Sequence, residues 1–274
     1  MTLVTHGSYS HYNGFVASWQ KQTGRITFTT NYTFSKALGV RDGNSTNGAA
    51  DGFAIWPYSF AANYGVLNWD RTHLFNAAYV ISLPSPIKGN AFVGGVINGW
   101  VLSGITQFQS GSPIQASIDT LNAQYPSNVS ASTWLGTNAP ALSPLLTCDP
   151  HKNLSSGVYF NASCFTVPPP GMEGDIIWPY IKGPAFFNSD LAIYKRFAFK
   201  EHQRVELRFS AFNFLNHPLP QFGSSGANDL NLNFTQPGTG ILSLTNTNPD
   251  TTGRVRYDSN LVRRVVEFAA KYNF

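Results

Sequence analysis

The stretch RRVVEFAAKYNF, Arg263 to Phe274, decides how the rest of the chain is read. Counting back from Phe274, alternate positions hold Phe274, Tyr272, Ala270, Phe268 and Val266, then Arg264 and Val262. The intervening set holds Asn273, Lys271, Ala269, Glu267, Val265 and Arg263. A period of two marks a strand whose faces meet different surroundings. One side here is apolar and closed by aromatic rings; the other is mostly polar or charged. The length suits a strand crossing a bilayer, roughly 9–11 residues. Rings at the end of such a strand sit best at a membrane–water boundary, so Tyr272 and Phe274 are expected in an aromatic girdle.

The same alternation recurs upstream. RITFTTNYTFSK sets Ile26, Phe28, Tyr32 and Phe34 against Arg25, Thr27, Thr29, Asn31, Thr33 and Ser35. HLFNAAYVISLP places Phe75, Ala77, Tyr79, Ile81 and Leu83 together, and RVELRFSAF opposes Val205, Leu207, Phe209 and Ala211 to Arg204, Glu206, Arg208 and Ser210. NSDLAIYKRFAF groups Leu191, Ile193, Phe197 and Phe199, with Lys195 expected to snorkel toward the boundary. YNGFVASWQ supplies Phe15, Ala17 and Trp19. GWVLSGITQFQSG fits least well, because Val101 and Ile105 fall opposite Trp100, Leu102 and Phe108. Seven strands are therefore predicted, over 12–21, 24–36, 69–83, 96–110, 187–199, 203–216 and 262–274. Short connections at 22–24, 84–95 and 200–203 alternate with long ones at 37–68, 111–186 and 217–261. Short turns at one end and long loops at the other are the habit of outer-membrane barrels.

Composition agrees. Charged residues make up 12% of 274, against roughly 25% in ordinary soluble chains. Aromatics reach 14%, yet mean hydropathy is −0.14, and no run approaches the roughly 18 apolar residues of a membrane helix. The net charge of +4 is spread thinly, so no nucleic-acid partner is expected. MTLVTHGSYSHYNG is not a signal peptide, so an exported product is expected to carry its leader further upstream. Cys148 and Cys164 bracket a polar stretch and read as a disulfide in preference to two buried thiols; closing about 15 residues contributes roughly 3 kcal/mol in an oxidising compartment. The rival architecture is a soluble β-sandwich, whose function would be extracellular carbohydrate binding. A sandwich expects turn signals every 8–12 residues or so, which the long loops interrupt.

NWDRTHLFNAAYVISLP resembles the Asp-x-x-His-x-Phe … Leu-Pro stretch of TonB-dependent outer-membrane receptors, particularly Oar-like members that carry a carboxypeptidase-regulatory-like domain. FNSDLAIYKRFAFKEHQRVELRFSAFNFLNHPLP is similar to their penultimate hairpin, with Phe-Asn-x-x-Asn-His-Pro at its extracellular end. YNGFVASWQKQTGRITFTTNYTFSKAL, GWVLSGITQFQSGSP and CDPHKNLSSGVYFNASCF also fit, so the resemblance spans nearly the whole chain. Asp190 stands where these receptors carry an Asp, whereas Glu267 replaces the Gln common in their last strand. The resemblance implies an all-β fold: about seven strands of an antiparallel transmembrane β-barrel of 22 strands with a plugged lumen and long extracellular loops. Residues 1–274 are then the C-terminal part of that barrel, with plug and N-terminal domains absent, and the isolated chain is expected to aggregate because its outer strands would leave backbone groups unpaired in lipid.

The implied function is capture of a scarce solute and its admission to the periplasm. The implied partners are outer-membrane lipid, the barrel-assembly machinery, the TonB complex acting through the plug, and a small solute whose class (saccharide, siderophore, peptide or cobalamin) stays open. A passive porin is the third reading. Arg204, Glu206, Arg208, Arg263, Glu267 and Lys271 are expected on the lumen wall, where they either face a plug or line solvated space. Trp56, Tyr58, Trp178 and Tyr180, in two Trp-Pro-Tyr runs, are the candidate ligand-contact residues of the loops, or else pack the loops together. Phe268, Tyr272 and Phe274 form the candidate C-terminal assembly signal. Asp70, Arg71 and His73 invite an acid–base reading, but strand spacing separates Asp70 from Arg71 and His73, and a structural cluster at the outer rim is expected instead. His6, His11, His151, His202 and His217 lack metal spacing. No catalytic residue, metal or cofactor is expected, and the location is the cell outer membrane.

Overall fold

Alternation of this kind forms strands because each apolar side chain gains by leaving water on one face while its neighbours stay solvated on the other. The structure, a computed structural model, describes residues 9–40, 59, 61–67, 69–114, 117–118, 145–154, 158, 160–166, 174, 181–200, 203–218, 220–221, 231–232, 234–235, 243–244, 256–257 and 263–274. Seven long strands pair antiparallel in chain order: β1 (Ser10–Lys21), β2 (Ile26–Val40), β3 (His73–Ser82), β4 (Trp100–Gln109), β5 (Phe186–Lys200), β6 (Gln203–Phe212) and β7 (Val265–Asn273). A short strand, Tyr64–Val66, extends the sheet beside the last residues of β2. Among the described residues β1 and β7 each pair on one side only, so the sheet is open.

Register makes the two faces continuous across the strands. One row runs Tyr32, Phe75, Phe108, Phe187 from β2 to β5, and another runs Ile81, Leu102, Ile193, Phe209, Phe268 from β3 to β7. On the opposite face the corresponding row reads Asn31, Asn76, Gln107, Asn188. A one-residue slip in any strand would exchange its faces. A sandwich would seal the apolar face, but Phe209 is 49% exposed and Phe268 66%. That side is left for an apolar solvent. Gly104 lies on it, and a β-carbon there would come within 2.4 Å of the Tyr79 hydroxyl. Glycine lets the Tyr79 ring lie across the neighbouring strand.

Several predicted limits shift. The strand expected at 96–110 starts at Trp100, because Ala91–Ile97 forms a helix, α1, and Gly99 turns the chain with φ +77°. The strand expected at 203–216 stops at Phe212, because Asn213 and Asn216 adopt left-handed φ of 46° and 51°. Asn tolerates that region better than most residues. β3 begins at His73 and not at 69, whereas β2 continues to Val40. Lys195 does not snorkel. It is 3% exposed, and its amine donates to the carbonyls of Val96 (2.9 Å) and Asn98 at the end of α1. Acceptors supplied by the helix replace water.

Candidate functional site

At the long-loop end, the chain entering β3 brings Asp70 inward. Its side chain is fully buried, and a buried carboxylate must be paired and hydrogen-bonded to be tolerated. Asp70 Oδ1 accepts from the Ala37 backbone N–H at 2.6 Å, and Oδ2 accepts from Lys182 Nζ at 2.9 Å. Lys36 Nζ lies 3.6 Å away. The Lys182 amine also donates to the Thr72 hydroxyl. Asp70 and Thr72 thus share a side, as strand spacing predicted, and Lys182 bridges them. Arg71 donates to the Asp70 carbonyl at 2.8 Å; burial lowers its pKa, against the raising effect of the Asp70 charge. His73 Nδ1 meets the Tyr32 hydroxyl at 2.8 Å. The Asp-Arg-Thr-His run is therefore a structural clasp between β2, β3 and the loop residues Ile181–Lys182.

That loop pairs in turn with Pro113–Ile114. The two segments meet where Gly111 and Gly183 touch: a β-carbon on Gly111 would fall 1.8 Å from the Gly183 carbonyl oxygen. Only bare backbone fits. The Gly183 N–H donates to the Ser112 carbonyl at 2.7 Å, so the clasp holds parts of one long loop against each other at the mouth.

Below the mouth the polar face is concave. A cavity of about 600 Å³ is lined by Gln20, Thr29, Ser103, Asp190, Arg208 and Ser210, among others. Ile105, noted above as out of pattern, opens into the same space. Arg204, Glu206, Arg208, Glu267 and Lys271 all lie on this face by register. Arg263 precedes β7 and is exposed. Glu206 accepts from Arg196 Nε at 2.7 Å across the β5–β6 pair, and from Arg208 at 3.1 Å along its own strand. Both guanidinium groups lie over the Tyr194 ring, 5.6 and 5.3 Å from its centroid. Arg196 and Tyr194 were absent from the expected wall, although they alternate with Ile193, Lys195 and Phe197 and the same parity rule reaches them.

Asp190 explains the Asn-rich corner after β6. Its Oδ1 accepts from the Asn213 backbone N–H at 2.8 Å and from Asn188 at 3.1 Å. Asn213 then exchanges two hydrogen bonds with the backbone of His217. One carboxylate thereby holds a left-handed turn at the top of the β5–β6 hairpin.

In the long loop Cys148 and Cys164 form a disulfide. Cys164, Phe160 and Phe165 are buried, with the two rings edge-to-face at 5.7 Å. Asp149 receives the His151 backbone N–H and its ring nitrogen, which hold its pKa below the ordinary carboxylate value. Trp56, Tyr58, Trp178 and Tyr180 lie outside the described residues. At the other end Tyr272 stacks on Phe274 at 6.0 Å, and mid-strand Phe209 faces Phe268 at 6.5 Å. No group of three metal-ligating side chains occurs among the described residues.

The family model for an outer membrane beta barrel domain matches residues 1–263. No curated protein and no solved structure matches the chain.

Proposed function

The chain belongs to the outer membrane beta barrel domain family and to the cell outer membrane, and from that premise we propose that it forms wall and mouth of a TonB-dependent receptor. In this reading the receptor binds a scarce solute outside and releases it inward when a plug moves. The supporting observation is the inner wall, where Arg196, Glu206 and Arg208 gather around Tyr194 beside a cavity lined by Ser103, Ile105, Asp190 and Phe212 among others. Such a wall offers a plug a fixed set of charged partners with its own long side chains already held. Arg204, Glu267 and Lys271, with Arg263, extend it. The clasp at Asp70 would keep the mouth loops in place while solute enters, and aromatic residues of the loops, Trp56, Tyr58, Trp178 and Tyr180, would contact it. Phe268, Tyr272 and Phe274 would engage the assembly machinery as the barrel inserts.

The test is energised uptake. Cells making the protein are supplied with labelled saccharide, siderophore, peptide or cobalamin, with and without a protonophore. Accumulation of one of these that stops when the protonophore is added supports the reading. Protonophore-insensitive passage of many small solutes would point to a passive porin and overturn it.

A further inference from the structure

α1 carries no charged residue and buries none. Phe92 is 82% exposed, and Val93, Val96 and Ile97 are exposed with it. At 3.6 residues per turn these four side chains occupy one arc of about 140°. Gly94 is on the other side, where a β-carbon would lie 3.3 Å from the Ile87 carbonyl oxygen. The helix thus turns its narrow side to its own chain and its bulky side outward.

A seven-residue helix is marginal in water unless something holds it, and this one is held at both ends. The Asn90 side chain accepts from the N–H groups of Phe92 and Val93. Asn98 grips Ile87 through two hydrogen bonds, at 3.2 and 2.6 Å. Trp100 Nε1 donates to the Val96 carbonyl at 3.0 Å, beside the bond from Lys195. The Lys195 amine also lies 5.7 Å from the centroid of the Trp100 ring and 4.9 Å from that of Phe197. Trp100, Lys195 and Phe197 alternate in step with Leu102 and Ile193, so α1 is fastened to the apolar face of the sheet, at its short-turn end.

We propose that α1 is an interfacial anchor lying in the headgroup–acyl boundary of the periplasmic leaflet. Short turns of outer-membrane barrels are periplasmic, and the α1 patch continues the face that already meets lipid. Interfacial helices bury their large apolar side chains some 5–10 Å into this boundary and keep basic residues at headgroup level. Exposed Lys88, two positions before the cap, is placed for that contact. The proposal depends on the barrel family and not on the TonB reading, so either can fail alone.

The test uses nitroxide labels on single thiols in the full-length protein, in outer-membrane vesicles. Cys148 and Cys164 are joined in the disulfide, so within residues 1–274 only an introduced thiol reacts. Labels at Phe92→Cys and, independently, Val96→Cys are compared with Phe268→Cys on the outer strand face and Lys88→Cys at the boundary. Collision rates are read with oxygen, which partitions into lipid, and with a water-soluble nickel chelate. The expected result is an oxygen-to-nickel ratio at 92 and 96 several-fold above that at 88 and no higher than that at mid-strand 268. A water-like ratio at both positions overturns the proposal. Weak collision with both reagents would reveal a protein partner on α1 and overturn it as well.

Discussion

Replacing Lys182 by methionine keeps most of the side-chain volume and removes the charge that faces Asp70. A hydrogen bond to a charged group contributes about 1.5–3 kcal/mol, and breaking a buried ion pair outright costs about 3–5 kcal/mol. The lower range applies here, because Asp70 keeps the Ala37 N–H at 2.6 Å and Lys36 at 3.6 Å. The Lys182 side chain is also 32% exposed, which moderates its contribution. A loss of about 2 kcal/mol is expected, or about thirtyfold in a local opening equilibrium. Amide hydrogen exchange reads this directly at Gly183, whose N–H is bonded to the Ser112 carbonyl. Exchange there should accelerate about thirtyfold, while amides of the β5–β6 ladder keep their protection. Adding Asp70→Asn should cost less than the sum of the single changes, since the double variant leaves no bare buried charge. An acceleration at Gly183 below about threefold, or an equal one in β5 and β6, would refute the idea that this pair fastens the loop locally.

Gly111→Ala should open the same loop without touching a charge, because its β-carbon would strike the Gly183 carbonyl; unchanged exchange at Gly183 would contradict the crossing. Asp190→Ala leaves the Asn213 N–H and the Asn188 amide without that acceptor, so the thermal stability of the barrel in detergent should fall by about 1–3 kcal/mol. Asp190→Asn, which keeps an oxygen, should recover part of that. Phe268→Arg faces lipid and should destabilise insertion into bilayers by about 2–4 kcal/mol, and Glu267→Arg on the inner face by clearly less. The reverse order in a bilayer titration would mean that the faces are misassigned. Asp149 has a depressed pKa, so its contribution to the disulfide loop is complete above the ordinary carboxylate pKa of about 3.9 and is lost as pH falls through the lower folded value. Protection of the His151 amide should drop only in that acidic window, and Asp149→Asn should abolish the step.

The strands were legible because their signal is local: a two-residue period over ten or so positions needs no partner to be recognised. The terminal run set the pattern, and even Ile105, which broke it, faces the cavity as its parity required. α1 escaped notice because seven residues with two glycines present a poor helical pattern, although Asn90 just before an apolar run is a recognisable cap. The clasp at Asp70 was half visible. Spacing placed Asp70 and Thr72 together at the rim, but nothing near position 182 announces a partner 112 residues away. Asp190 was noticed by resemblance alone; its task, holding the left-handed Asn213, depends on a contact across two strands. Lys195 was misjudged because the helix that satisfies it had not been foreseen.

The strands of this sheet do not start and stop level with one another. β2 climbs to Val40, well past Phe34, where β3 takes up its partner, and β5 descends to Lys200, below Lys195, where β4 begins. Such stagger is what tilts the staves of a closed barrel, and it leaves a stair in each rim. On the upper stair Ala37 offers an N–H that no strand residue takes up, and Asp70 receives it. On the lower stair Lys195 and Trp100 tether α1. The same slant that winds the wall therefore creates two ledges, one bearing the Asp70 fastening and one bearing the short helix at the opposite rim.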